Sequence, residues 1–250
     1  MADIQILFPM GGLGSRFSNV GIETPKPLIE VDGVPMILKA VSSFARLPQD
    51  RLQLLFVVRA EHNAQYDLQN KITAVCPNAK FQVLDHNTKG AVETCMMADP
   101  LIDRTKPIVV MDCDLYFQSK AYEEALVAMA EEGLAGLLLY FKSKAPRYSF
   151  AELDAEHRVV RTAEKIPISE NALIGAYGFG SGEIFLNAGK KLLERNISAE
   201  MKEYYLSLLY NILLSDGLTV KAVPMDEYHS FGTPEELELY RAGKRSYVVE

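Results

Sequence analysis

Three short stretches of this 250-residue chain combine residue types that could bind phosphate and a hard cation. The first, Pro9-Met10-Gly11-Gly12-Leu13-Gly14-Ser15-Arg16, sets three glycines in four positions ahead of an arginine. Bare backbone N–H groups at Gly11, Gly12 and Gly14 can approach phosphate oxygens, and Arg16 adds a permanent, bidentate cation. This is not the dinucleotide fingerprint, because Phe17 falls where a third glycine must pack, and no Gly-Lys-Ser/Thr of a Walker loop follows. In the second stretch, Thr24-Pro25-Lys26-Pro27, two prolines hold the backbone around Lys26 extended, so an ammonium is presented at low entropic cost. The third, Asp112-Cys113-Asp114, closes an apolar run with two carboxylates on one side of an extended chain. Mg²⁺ takes one or two protein carboxylates and completes its octahedron with water and phosphate oxygens, so the pair suits it. Taken singly, the glycine cluster also reads as a flexible turn and Asp-x-Asp as a turn cap beside a solvated carboxylate. Together they point to a bound phosphate.

Such residues need a frame. Apolar, β-branched runs at 4–8, 52–58, 81–84 and 108–111 alternate with helical period at 36–47, 61–72 and 90–98. That order predicts parallel strands linked by helices. A helix over 120–132 then leads to a strand at 137–141, a hairpin of 148–153 with 158–164, and a strand at 173–179. Helices at 183–195 and 199–214, a strand at 219–223 and a helix at 234–243 complete the expectation. No linker or repeat interrupts the chain. The predicted fold is α/β: a single-domain, Rossmann-like mixed, mostly parallel sheet flanked by helices over residues 1–250, the second half closing over the first. Open sheets of this kind bind ligands outside the carboxyl ends of their strands, where both the glycine-rich loop and the Asp pair fall.

Composition narrows the partners. A net charge of −7 with pI near 5.3 gives no electrostatic case for nucleic-acid polymer or an anionic membrane. The longest apolar stretches, 134–141 and 206–214, fall short of the roughly 18 residues that span a bilayer, and the start lacks a basic n-region, so the expected location is cytoplasmic. Cys76, Cys95 and Cys113 have no zinc or disulfide spacing and are expected as free thiols. His62, His86, His157 and His229 are scattered, without the spacing of a metal site, and Ser15 has no His/Asp arrangement to make it a nucleophile. A homo-oligomer is compatible with this composition.

The pair Gly11-Gly12-Leu13-Gly14-Ser15-Arg16 and Pro25-Lys26-Pro27 resembles the sugar-phosphate nucleotidylyltransferase family, whose pattern is G-G-x-G-[ST]-R followed by P-K-P. The resemblance includes small cytidylyltransferases of cell-surface polysaccharide pathways. It continues along most of the chain. Thr88-Lys89-Gly90-Ala91 looks like the turn that leads a helix beneath the nucleotide's base and sugar, and Glu164-Lys165 like the Glu-Lys of the acceptor strand. Ile174-Gly175-Ala176-Tyr177 resembles the Gly-x-Tyr strand, and Arg147-Tyr148-Ser149 stands where Arg-Tyr-Gly is common. The resemblance implies that Arg16 and Lys26 are catalytic, and that Met10, Gly11, Gly12, Gly14, Ser15, Asp85, Gly90 and Ala91 bind nucleotide. It further implies that Glu164, Lys165, Gly175 and Tyr177 bind the acceptor and that Asp114 binds Mg²⁺; the spacing of the pair adds Asp112 as a candidate ligand, and Glu203 is a candidate contact to acceptor hydroxyl or amino groups. The helical spacing of Leu206, Leu209 and Leu213 makes Tyr204 and Tyr205 expected packing residues.

One departure matters. His229-Ser230-Phe231-Gly232-Thr233-Pro234 is similar to Trp-x-Asp-x-Gly-Thr-Pro, and the family's second metal carboxylate aligns with Ser230. Either Asp112 or Asp226 substitutes, or Asp114, water and phosphates hold the metal. The implied reaction is Mg²⁺-dependent transfer of a nucleoside monophosphate from an NTP to a phosphorylated acceptor, a sugar 1-phosphate or small phosphate ester, releasing pyrophosphate. For the base, Asp85 stands where relatives using thymidine or uridine nucleotides present Gln. An ionised carboxylate only accepts, which suits the amino group of cytosine or the N1–H and N2 of guanine and favours CTP, unless Asp85 merely caps a turn. A metal-dependent glycosyltransferase using a nucleotide sugar, and a catalytically inactive nucleotide-binding regulator, fit the same residues and remain as rivals.

Overall fold

The computed structural model describes residues 4–129, 131–197 and 202–249. The chain opens with β1 (Ile4–Met10), the single turn α1 (Ser15–Ser18), and a small hairpin of β2 (Glu30–Val31) and β3 (Val34–Pro35). Asp32 and Gly33, both at positive φ (54° and 75°), make the two-residue turn that tight hairpins favour. Next come α2 (Met36–Val41), β4 (Leu52–Arg59), α3 (Ala60–Tyr66), α4 (Leu68–Thr73), β5 (Lys80–Leu84), α5 (Ala91–Met96) and β6 (Ile108–Met111). The second half contains β7 (Leu115–Gln118), α6 (Lys120–Ala128), β8 (Gly136–Lys142), β9 (Ser149–Leu153), β10 (Val159–Glu164) and β11 (Asn171–Phe179). It ends with α7 (Gly182–Leu193), α8 (Ser207–Ser215), β12 (Val220–Pro224), β13 (Glu227–Ser230) and α9 (Pro234–Arg241).

Among the described residues, nine strands form one sheet with a path β10-β9-β11-β6-β1-β4-β5, and β8 bridges β11 to β12. The strands of the first half, β6, β1, β4 and β5, are parallel. β11 then runs antiparallel to both β6 and β8, giving the mixed, mostly parallel arrangement expected. Alternate residues of each strand feed two apolar layers. Phe8, Phe56 and Met111 belong to one layer, and Leu7, Leu55, Val57 and Val110 to the other, all almost wholly buried. Because β4 and β5 lie on one side of β1 and β6 on the other, the strand order reverses between β1 and β6. The crevice outside that reversal is where open sheets bind ligands.

Several elements differ from expectation. The helix expected over 61–72 is two helices, because Asp67 between them sits in the left-handed region at φ 54°. The helix over 36–47 stops at Val41 and tightens into a 3₁₀ turn at Ser42–Phe44, and the one over 120–132 ends at Ala128. The start of the helix over 199–214 lies outside the described residues, and within them α8 begins only at Ser207. The stretch before it is held in a different shape: Tyr204 donates its N–H to the Lys89 carbonyl and accepts from the Val92 N–H. The antiparallel pair β7–β13 and the hairpin β2–β3 were not anticipated.

Candidate active site

A cavity of about 730 Å³ opens at the carboxyl ends of β1 and β6. Its floor is the strand order reversal, and its far wall comes from β9, β10, β11 and the approach to α8. Leaving β1, the glycine-rich loop passes close beneath α5: a Cβ on Gly11 would stand 2.9 Å from Leu84 and Thr94 side-chain atoms. Arg59, buried at the end of β4, donates from Nη1 to the Gly11 carbonyl at 2.9 Å and pairs with Glu61. A buried cation thus fixes the loop from behind. Gly14, at φ 68°, makes the left-handed step into α1, which brings Arg16 to within 3.5 Å of the Gly232 carbonyl at the cavity edge.

Lys26 and the Asp pair meet here. The Lys26 ammonium donates to Asp114 Oδ2 at 2.7 Å, with both side chains largely buried. Burial works against the charged lysine, but the carboxylate of Asp114 outweighs it and holds the ammonium well above its ordinary range. Burial likewise disfavours the Asp114 carboxylate, and Lys26 more than compensates, keeping it below the usual range. Asp112 has no such partner: among the described residues no donor bonds its carboxylate. Burial first, and the negative charge of Asp114 second, raise it to about 7. Burial also pushes the Cys113 thiol up to about 12, so it is an inert neighbour. Gly175 makes room for Asp112; a Cβ there would lie 2.2 Å from Oδ2.

Two adjoining carboxylates, one of them paired with the Lys26 ammonium, have the donor chemistry of a hard-cation site, and the unbonded carboxylate of Asp112 leaves a ligand to spare. Among the described residues no group of three or more His, Cys, Asp or Glu is arranged to hold a metal. Asp226, the other candidate substitute for a carboxylate at Ser230, does not line this cavity. Its Oδ2 accepts the Lys120 N–H at 2.8 Å, capping α6. Ser230 instead donates to Glu236 Oε2 at 2.8 Å.

On the opposite wall, Glu164 accepts from Ser149 and, at 2.9 Å, from Ser207. Beside it Lys165, left-handed at φ 58°, donates to the Tyr205 hydroxyl at 2.9 Å and lies over the Tyr205 ring. Burial lowers its pKa and the Tyr205 hydrogen bond raises it, with a net rise. A left-handed lysine in a cavity wall marks backbone strain of the kind found at ligand sites.

Of the residues singled out from sequence, Arg16, Lys26, Ala91, Asp112, Asp114, Glu164, Lys165, Gly175, Tyr177 and Glu203 line this one cavity. Met10, Gly11, Gly12, Gly14, Ser15, Asp85 and Gly90 do not line it. Asp85 follows β5 with an exposed side chain, 2.9 Å from His86 Nδ1. Gly90 packs so closely on the Tyr204 backbone that a Cβ would approach to 2.6 Å. Tyr204 is the buried packing residue expected, its hydroxyl bonded to the Arg195 carbonyl. Tyr205, expected to pack as well, instead faces the cavity as the partner of Lys165, because helical periodicity does not reach back before Ser207. Arg59 and Glu236 carried no distinguishing signal as site residues, whereas Arg147, noted only as part of the Arg-Tyr-Ser stretch, lines the cavity.

Comparison with known proteins gives a consistent result. The family described as Nucleotidyl transferase matches residues 6–211. The chain is 28% identical to the Bifunctional protein GlmU of Cupriavidus necator over 241 residues, covering 94% of this chain and 50% of that protein. It therefore spans about half the length of the curated relatives it matches. The crystal structure of a nucleoside-diphosphate-sugar pyrophosphorylase from Vibrio cholerae RC9 is similar with a TM-score of 0.81 and 27% identity, covering 95% of this chain and 98% of that one. The inositol-1-phosphate CTP transferase of T. maritima has a TM-score of 0.69 at 15% identity over 93% of this chain and 90% of its own, a likeness of fold.

Proposed function

The chain belongs to the nucleotidyl transferase family of enzymes, and from that premise we propose that it transfers a nucleoside monophosphate from an NTP to a phosphorylated small molecule, releasing pyrophosphate. The observation that carries this reading is the 2.7 Å contact of Lys26 with Asp114, which unites the Pro-Lys-Pro stretch and the strand-end carboxylates in one cavity across 88 residues. Residues 1–250 act as one domain with two roles. The backbone from Met10 to Ser15, with Gly90 and Ala91, holds the NTP, while Arg16 and Lys26 neutralise the triphosphate. Asp112 and Asp114 hold Mg²⁺, which when bound supplies charge neutralisation at phosphate oxygens. Glu164, Lys165, Gly175, Tyr177 and Glu203 hold the acceptor.

The acceptor's phosphate oxygen is already anionic near neutral pH, so its attack on the α-phosphorus needs no general base. One P–O bond forms, the bond from the α-phosphorus to the bridging oxygen breaks, and pyrophosphate leaves opposite the nucleophile. What this chain must supply is alignment and fixed positive charge. The lining agrees: among the described residues it contains two cations near the Asp pair and no histidine. For the base we favour CTP. The hydrogen bond from His86 holds Asp85 below its ordinary range, so it stays an ionised acceptor suited to the cytosine amino group.

The test is a pyrophosphate-release assay with CTP, UTP, dTTP, ATP and GTP against sugar 1-phosphates and small phosphate esters, with and without chelator. Acceptor-dependent, chelator-sensitive release is expected, highest with CTP. NTP-induced stabilisation without release from any acceptor would favour a binding-only regulator, and sugar transfer from a nucleotide sugar without pyrophosphate a glycosyltransferase.

A further inference from the structure

The cavity presents a cation that the proposed reaction has not used. Arg147, just before β9, lines the cavity, and its side chain is 39% exposed. Its Nη2 donates to Glu236 Oε1, and the guanidinium lies over the Tyr148 ring with its carbon 5.3 Å from the centroid. Glu236 is itself fixed. It is 3% exposed, its Oε2 accepts from Ser230 Oγ at 2.8 Å and from the Thr233 N–H at 3.0 Å, and its N–H completes the capping box of α9. The arginine is therefore clamped from behind by a rigid anion and from one side by a ring, while among the described residues no acceptor bonds its Nε or Nη1.

Its position is equally specific. The Lys165 N–H bonds the carbonyl of Tyr148, the residue that follows Arg147, at 3.0 Å, and both Arg147 and Lys165 line the cavity. On the other side, a Cβ on Gly232 would touch Asp114 Oδ2 at 3.1 Å and Glu236 Oε2 at 3.2 Å, so the carboxylate that anchors Arg147 adjoins the Asp pair. Where the resembled pattern has a carboxylate, Ser230 has none, and the charge that Glu236 brings to this wall is spent on holding a cation.

We infer that Arg147, held by Glu236, is a binding residue for the acceptor's phosphate in the cavity that Lys165 also lines, its guanidinium favouring a phosphate monoester over a neutral hydroxyl acceptor. The inference rests on the transfer reading above. A planar guanidinium with a free donor edge matches two phosphate oxygens at once, which a hydroxyl cannot exploit.

The experiment compares the full chain with Arg147→Gln, Arg147→Lys and Glu236→Gln. It measures KM for the acceptor and for NTP separately, and the melting-temperature shift given by inorganic phosphate. Arg147→Gln should raise the acceptor KM by about 10- to 100-fold while the NTP KM stays within about twofold. Arg147→Lys should recover part of the loss, Glu236→Gln should shift acceptor KM in the same direction, and the phosphate-induced shift should vanish in Arg147→Gln. Turnover with an unchanged acceptor KM in Arg147→Gln overturns the inference and leaves the transfer reading standing. Absence of turnover in the wild type, with a phosphate shift that Arg147→Gln abolishes, removes the transfer reading and retains the anion site. An equal phosphate shift in both proteins removes the site.

Discussion

Gly175→Ala perturbs the geometry around Asp112 from a position that also lines the acceptor side of the cavity, so the metal dependence of the rate is what separates the two effects. The added Cβ would stand 2.2 Å from Asp112 Oδ2, 2.8 Å from its Cγ and 3.0 Å from Leu115 Cδ2. Non-bonded contacts settle at about 3.5 Å, so the carboxylate must withdraw by roughly 1 Å. The atoms that yield lie at the end of a short side chain, and Gly175 sits in β11 without a positive φ, so the fold has little to lose. Removing a glycine also restricts the unfolded chain, worth about 0.4–1 kcal/mol in the opposite direction, so stability should change by less than about 1 kcal/mol. Function should respond differently: misplacing a group by about 1 Å at a reacting centre costs on the order of 100-fold in rate. The assay is steady-state kcat as a function of Mg²⁺ concentration, beside a thermal melt. We expect kcat to fall about 100-fold and half-saturation by Mg²⁺ to move upward with the melt nearly unchanged. Wild-type turnover and Mg²⁺ dependence would refute the assignment of Asp112 to the metal.

The remaining predictions concern the same cavity. Lys26→Ala should lower kcat about 100-fold or more while the protein stays folded, because one fixed cation is lost where charge develops; near wild-type turnover would make Lys26 a structural lysine. Asp114→Asn should abolish Mg²⁺-dependent turnover and Asp112→Asn weaken it less, read from rate against Mg²⁺ concentration; equal and total loss would show that Asp112 is as indispensable a ligand as Asp114. Asp85→Gln should shift kcat/KM from CTP towards UTP and dTTP, and an unchanged base preference would remove Asp85 from base recognition.

The central strands were legible because burial on both faces writes itself as continuous apolar sequence. Ile108 to Met111 is all apolar, wholly buried, and its observed bounds match those expected. That Lys26 and the Asp pair share one cavity was suggested by their types and spacing, a lysine bracketed by prolines and aspartates at a strand end, although neither stretch taken singly states a use. Less visible was anything fixed by tertiary contact. β7 alternates buried and half-buried positions over only four residues, and its partner β13 lies more than a hundred residues away, so neither carries a local signal. Asp67 looked like an ordinary helix residue until its left-handed conformation divided α3 from α4. Glu236 is the sharpest case. Thr233 and Glu236 announce a capping box and hence a helix start, but nothing in that local pattern shows the same carboxylate reaching Arg147, 89 residues earlier. Tyr205 was hidden by the apolar period that follows it.

The most direct measurement of the central claim follows the label of radioactive CTP in the presence of Mg²⁺ and an accepted phosphate ester. With label on the α-phosphate, it should move into the acceptor product in step with pyrophosphate formed. With label on the γ-phosphate, it should leave only as pyrophosphate. Label from the γ-phosphate in the acceptor, or α-label released as free nucleotide without an acceptor adduct, would contradict nucleotidyl transfer by this cavity.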